Sequence, residues 1–419
     1  MTGHGLVLNV EDRLDAPPKH MTSPSPTLSF PLNYLRLVFE FGVVLVCLPF
    51  HFLYFALLPK KRWRRSWSLL EAALMPAIRR IMAAFDLCGF KVSGRDTSAE
   101  PVRWWLRLRY GVEFEWVPPL EQGLMSGAVD DSTVERSRVG LFSWTRELAP
   151  ATTRSDLIGL YFHGGAYSHN SAHPKSSSSA IPKKLLQKCA RFSSMYSAEY
   201  RLLPDYPFSA ALQDAAAAYI ALLKRGVPGS KIVLIGDSSG GHLALALTRW
   251  IRDTTADQQN VRVEKRDYPL EEPGGLLLFS PWTDPSHSFL GHTAEDYIPR
   301  SNDCDYLFEV GKFRLYLVSS LLGLHPPQFV ESPYMSPGRK GLPPGSFTGH
   351  PPCFVHYGTG ERCQAEGERL VDNLERDGIR VEKVVTLDTP HDPLLLEMVW
   401  NKKQIQRIWD GALQFLETV

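Results

Sequence analysis

Residues 231–251 read KIVLIGDSSGGHLALALTRWI. The opening KIVLI is a short apolar run of the kind that forms a buried strand, and His242–Arg252 carries a helical pattern. Between them stand Gly236, Asp237, Ser238, Ser239 and Gly240, followed by Gly241. A lone G-x-S-x-G arises by chance in about one chain of this length in seven, at roughly 7% for each residue type. The strand before it and the helix after it make this one informative. A serine on a tight strand-to-helix turn projects its hydroxyl from the edge of a sheet. Gly236 and Gly240 let the backbone turn sharply and let the helix approach the strand. The Ser239 N–H, at the helix N-terminus, faces any anion that develops beside Ser238.

Working outward, a second apolar run, LIGLYF (157–162), leads into His163, Gly164, Gly165, Ala166 and Tyr167. Glycines after a strand expose backbone N–H groups, the donors an oxyanion hole requires. A histidine inside such a turn orients the loop through hydrogen bonds. Further apolar runs read as strands at 112–117, 192–196, 232–235, 275–279, 353–357 and 381–387. Helical patterns fall at 209–224, 242–252 and 365–377. Strands separated by helices imply crossover connections, hence an α/β fold with a mostly parallel sheet.

The chain resembles the hormone-sensitive-lipase-like branch of the α/β-hydrolase fold. That branch carries HGGG, then a YRLAPE-P-F-PAA-D stretch, then GDSAGG. Here the blocks read HGGA, YRLLPDYPFSAALQDAAAAY (200–219) and GDSSGG, in the same order. Within the branch the chain is similar to membrane-anchored fungal steryl-acetyl-hydrolase-type proteins. The resemblance implies an esterase or deacetylase with a Ser-acid-His triad, a small-molecule ester substrate, and neither cofactor nor metal. Chain order in this fold is serine, acid, histidine. His391, in PHD after the last strand, matches the histidine position, and Glu361, in GTGERC, falls where the family places Asp. Asp388 and Asp392 are competing carboxylates, but they lie too near His391 along the chain. Ala166 stands at the family's third glycine and serves if its φ is negative. Asp237, Glu199 and Asp205 are expected to be structural. In the implied reaction Ser238 attacks the ester carbonyl, His391 moves the proton and Glu361 orients the imidazole. The N–H groups of Gly164, Gly165, Ala166 and Ser239 hold the oxyanion. An alcohol in place of water makes the same site an acyltransferase, and loss of the triad makes it a ligand-binding protein. The aromatic segments at 103–116 and 280–289 suit either a pocket for a bulky apolar alcohol, such as a sterol or terpenoid, or plain packing.

Composition bounds these readings. Charged residues are 22% and hydrophobic ones 44% of the 419 residues, which is globular. Lys+Arg is 46 against Asp+Glu 45, a net charge of +1, without the basic excess of a nucleic-acid binder. The six cysteines are scattered with no CxxC, so neither a disulfide framework nor a zinc site is indicated. Residues 1–30 are Pro/Ser-rich and are expected to form a disordered tail. An uncharged run from Phe41 to Leu58 follows, within an expected membrane-anchor helix at 34–58. The basic KKRWRR (60–65) behind it favours a cytoplasmic catalytic domain at the endoplasmic reticulum or a lipid droplet. Pro49 admits a hairpin that enters and leaves one leaflet. Residues 62–108 read as a helical cap or linker, and 109–419 as the catalytic domain.

Overall fold

The computed structural model describes residues 28–92, 95–146, 157–260, 268–286, 305–307 and 311–419. Its strands are β1 (Glu113–Val117), β2 (Val139–Thr145), β3 (Leu157–Phe162), β4 (Phe192–Glu199), β5 (Ile232–Asp237), β6 (Gly275–Phe279), β7 (Cys353–Gly358) and β8 (Val381–Thr386). The α-helices are α1 (Leu32–Leu57), α2 (Leu69–Cys88), α3 (Arg103–Tyr110), α4 (Ala180–Lys188), α5 (Phe208–Lys224), α6 (Ser239–Asn260), α7 (Gly311–Leu322), α8 (Gln364–Arg376) and α9 (Lys402–Leu416) among the described residues.

The strands form one sheet in the order β1-β2-β4-β3-β5-β6-β7-β8. β2 runs antiparallel to β1 and β4, and from β4 to β8 every neighbour is parallel. β5 lies between β3 and β6 and is buried along its whole length, which is why IVLI is continuously apolar instead of alternating. Its residues still face opposite ways: Ile232 and Leu234 join the core under α5, α6 and α8, while Val233 and Ile235 join the core under α4 and α9. The same alternation holds in β3 and β6. Each parallel strand therefore feeds a loop at one common rim of the sheet, where such folds place their sites.

The rim receives His163 from β3, Ser238 from β5, Ser280 from β6, Glu361 from β7 and His391 from β8. The seven strands read from sequence are present with shifts of up to three residues at their ends; β2, α4, α7 and α9 are additional. The segment expected as an anchor helix, 34–58, falls on α1, which ends one residue sooner at Leu57, and α2 runs unbroken through Pro76. α2 begins at a capping box formed by Ser68 and Glu71 and ends at left-handed Gly89. Residues 1–27 of the expected tail lie outside the described residues.

Candidate active site

Ser238 is held at φ +50 at the junction of β5 and α6. Its N–H donates to the Phe279 carbonyl (2.9 Å), and its own carbonyl accepts from Trp282 (3.0 Å) and His242 (3.2 Å). These bonds hold a left-handed backbone that costs a non-glycine residue roughly 1–2 kcal/mol. The flanking glycines are required by contact. A Cβ on Gly236 would lie 2.2 Å from the Gly240 carbonyl carbon, and one on Gly240 would lie 2.0 Å from the Phe162 oxygen. The nucleophile turn is thus pressed against the end of β3, where the HGGA loop starts.

That loop departs from expectation at two positions. The Gly164 N–H donates to Asp237 Oδ1 at 3.0 Å, so it is already engaged and does not serve as an oxyanion donor. Ala166 has φ +52, not the negative value expected, and Tyr167 follows at +57. The left-handed pair turns the chain so that the N–H groups of Gly165 and Ala166 carry no hydrogen bond among the described residues. Together with Ser239 at the start of α6, they are the donors available beside Ser238. His163 donates from Nδ1 to the Gly164 carbonyl (2.8 Å) and stacks on Tyr200 at 4.4 Å. Tyr200 Oη donates to the His163 carbonyl (2.5 Å). Burial drives the His163 pKa down to about 4, so its ring is neutral and acts on the loop rather than on substrate.

The residues expected as acid and base are brought together. His391 Nδ1 lies 3.2 Å from Glu361 Oε2, both side chains buried. Glu361 Oε1 accepts from the Gly358 N–H (3.1 Å). Burial pushes the Glu361 carboxyl up to about 8 and the His391 imidazole below its ordinary value. His391 Nε2 is 3.3 Å from Asp392 Oδ2 but not aligned for a hydrogen bond. Asp388 faces away: it accepts from Ser66 Oγ (2.6 Å) and lies 3.6 Å from Arg64.

Asp237 is buried and also accepts from the Tyr161 hydroxyl; burial raises it to about 6. Glu199 accepts from Ser171 Oγ and the Ala172 N–H, both at 2.8 Å, and Asp205 is an exposed partner of Lys91. Two residues escaped the sequence reading. Fully buried Asp305 accepts from the His391 N–H (3.2 Å) with one oxygen and from the Arg362 N–H (2.8 Å) with the other. It thereby ties the acid loop to the histidine loop. His242 bonds Tyr167 Oη through Nδ1 (2.6 Å) and the Met335 carbonyl through Nε2 (2.8 Å), which braces the left-handed turn. Only the helical position of His242 shows in the sequence, and nothing local marks Asp305. Of the aromatic segments, Trp104 and Trp105 are exposed, Phe114 packs on Phe142, and Trp282 is buried; Phe289 lies outside the described residues.

Comparison with known proteins adds to this geometry. The model of a family described as alpha/beta hydrolase fold matches residues 159–395. The chain is similar to an acetyl-hydrolase of Streptomyces hygroscopicus, 30% identical over 212 residues covering 50% of this chain and 59% of that protein. It is similar to the carboxylesterase/phospholipase LipF of Mycobacterium tuberculosis, 38% identical over 119 residues, 27% of this chain and 31% of that one. The matched stretches thus span less than two thirds of either relative. Among solved structures, a hormone-sensitive lipase from a metagenome library superposes with a TM-score of 0.50 at 25% identity, covering 65% of this chain and 81% of that one. An esterase from the bacterial hormone-sensitive lipase family gives 0.52 at 22% identity, over 83% and 97%, a likeness of fold.

Proposed function

The chain belongs to the α/β-hydrolase fold family, and from that membership we propose that it is a carboxylic-ester hydrolase acting through an acyl-enzyme. The observation that carries the reading is the buried Glu361–His391 pair at 3.2 Å on the same rim as Ser238. Ser238 attacks the ester carbonyl while His391 Nε2 takes the hydroxyl proton. In the active form Glu361 is ionised: it accepts the Nδ1–H, which leaves Nε2 free to take the proton, and its charge attracts the imidazolium as it forms. The N–H groups of Gly165, Ala166 and Ser239 receive the oxyanion. His391 then delivers the proton to the departing alcohol and activates water to release the acid.

Similarity to an acetyl-hydrolase supports a short acyl group. The apolar helix α1 supports membrane attachment and, with it, a lipophilic alcohol such as a sterol or terpenoid. Lys60, Lys61 and Arg65 are exposed just beyond α1 and favour a catalytic domain on the cytoplasmic face, whose leaflet is anionic. The test is Ser238→Ala assayed with nitrophenyl acetate and a fluorophosphonate probe. Loss of both turnover and labelling, with an unchanged circular dichroism spectrum, is expected. Undiminished turnover by the pure variant rejects the proposal.

A further inference from the structure

Helix α1 does not stand away from the molecule. It folds back antiparallel on α2: Tyr34 meets Phe90 at 4.8 Å, Phe41 meets Phe85 at 6.3 Å, and Glu40 is ion-paired with Arg80. Near its other end Phe55 is buried in the same core as Trp67, Ala72 and Met75. α2 in turn is fastened to both halves of the candidate active site. At its C-terminal end Asp86 meets His169 at 2.9 Å, and Val92 accepts from the Asn170 N–H (2.7 Å), so the oxyanion loop is held there. At its start Trp67 Nε1 donates to the Asp388 carbonyl (2.7 Å), and Glu71 accepts from the Asn401 N–H (2.8 Å), so the histidine loop is held there. Both ends of α1 therefore touch the same domain. A helix of this length spanning a bilayer would carry one end about 39 Å from the other across the hydrocarbon.

α1 leaves a broad apolar face uncovered, a central stripe flanked by the exposed Tyr34, Phe41 and Tyr54. Val38, Leu45, Val46, Phe50, Leu53 and Leu57 are between 57% and 73% exposed. At 100° per residue they fall within an arc of roughly 140°. Within it an 18-residue stretch is apolar enough to enter lipid. Beyond its C-terminal end lie exposed Trp63 and the exposed cations Lys60, Lys61 and Arg65. Apolar residues on one side of a helix, with an aromatic ring and cations at its end, match the boundary layer of an anionic bilayer.

We propose that α1 lies flat in the interfacial layer of an anionic membrane, stripe downward, as the outer layer of a cap fastened to both catalytic loops. The bilayer surface is then the docking partner, and the active site sits beside it. The link to an ester substrate rests on the hydrolase reading; the docking geometry does not. The test uses the full chain and vesicles of phosphatidylcholine with phosphatidylserine. Spin labels at Val38→Cys, Val46→Cys and Leu53→Cys, in a background lacking Cys47, report depth through accessibility to oxygen and to a nickel chelate. Equal shallow depths at the three positions are expected, with binding weakened at least tenfold by Val46→Gln combined with Phe50→Gln. A depth that rises to a maximum at position 46, or values on opposite leaflets, overturns the flat geometry. A chain that ignores vesicles and instead forms a dimer abolished by the same double substitution overturns the lipid assignment. These readouts need no turnover, so an inactive but membrane-bound protein would count against the hydrolase reading alone.

Discussion

The Glu361–His391 pair depends on a third carboxylate that neither the motif nor the family pattern points to. Asp305 receives one N–H from each catalytic loop, and hydrogen bonds to a charged acceptor contribute about 1.5–3 kcal/mol each. Asp305→Asn places an amide where one of these N–H groups needs an acceptor. We expect kcat to fall about 10- to 100-fold with little change in KM, since a displacement near 1 Å has effects of this size. A variant with a lower melting temperature and an unchanged kcat would make Asp305 structural only. Glu361→Gln is expected to lower kcat by roughly 10⁴, the effect of losing the orienting acid of a triad; Asp388→Asn, whose side chain faces Ser66, should be near normal. Burial lowers the His391 pKa, so the neutral base survives to lower pH. The acidic limb of kcat/KM is then expected below about 6.5, the ordinary histidine value. A limb near 8 would instead report the Glu361 carboxyl, which burial raises to about 8, and would show that its ionisation, not that of His391, limits the base. Ser238, His391 and Glu361 were legible because each sits in a short turn behind a strand. Asp305 was not, because its role exists only once two loops distant in sequence converge on it.

Among the elements, legibility followed the apolar run. β3 and β6 have the same bounds in sequence and structure because buried parallel strands are continuously apolar. β2 reads VGLFSWT, and Gly140 and Ser143 break its run. Gly140 is small for a reason that only the sheet reveals: a Cβ there would lie 2.8 Å from the Phe114 ring on β1. α9 does carry a helical period, with Ile405, Ile408, Trp409, Ala412, Phe415 and Leu416 buried on one side, but it holds no motif and escapes a reading led by motifs. The HGGA loop shows the opposite failure, a motif whose backbone was misjudged. Ala166 at φ +52 carries strain that glycine would relieve, offset by glycine's greater freedom in the unfolded chain. Ala166→Gly is therefore expected to raise unfolding free energy by about 0.5–1 kcal/mol in urea denaturation. A loss of stability would show that the Ala166 methyl, packed against the main core, outweighs the strain.

For the whole molecule, the sequence announced an apolar helix and a cap but not their attachment. Trp67 and Trp400 meet edge to face at 5.3 Å, and no local pattern links residues so far apart. Trp67→Ala removes that contact and the bond to Asp388. It should cost about 3–5 kcal/mol, read as a lower melting temperature, as buried tryptophans do. A shift within error would mean that the hairpin is only loosely seated. The attachment also sets an order of events in the cell. The hairpin emerges from the ribosome early, yet the loops that hold it include Asn170, Asp388 and Asn401. At 5–20 residues per second, on the order of 15–60 s separates the synthesis of Cys88 from that of Asn401. Throughout that interval the apolar stripe and the buried side of α2 lack their partners. A nascent chain of this design needs a membrane or a chaperone at its N-terminus before its catalytic domain exists, so expression without either should yield aggregates rather than inactive monomer.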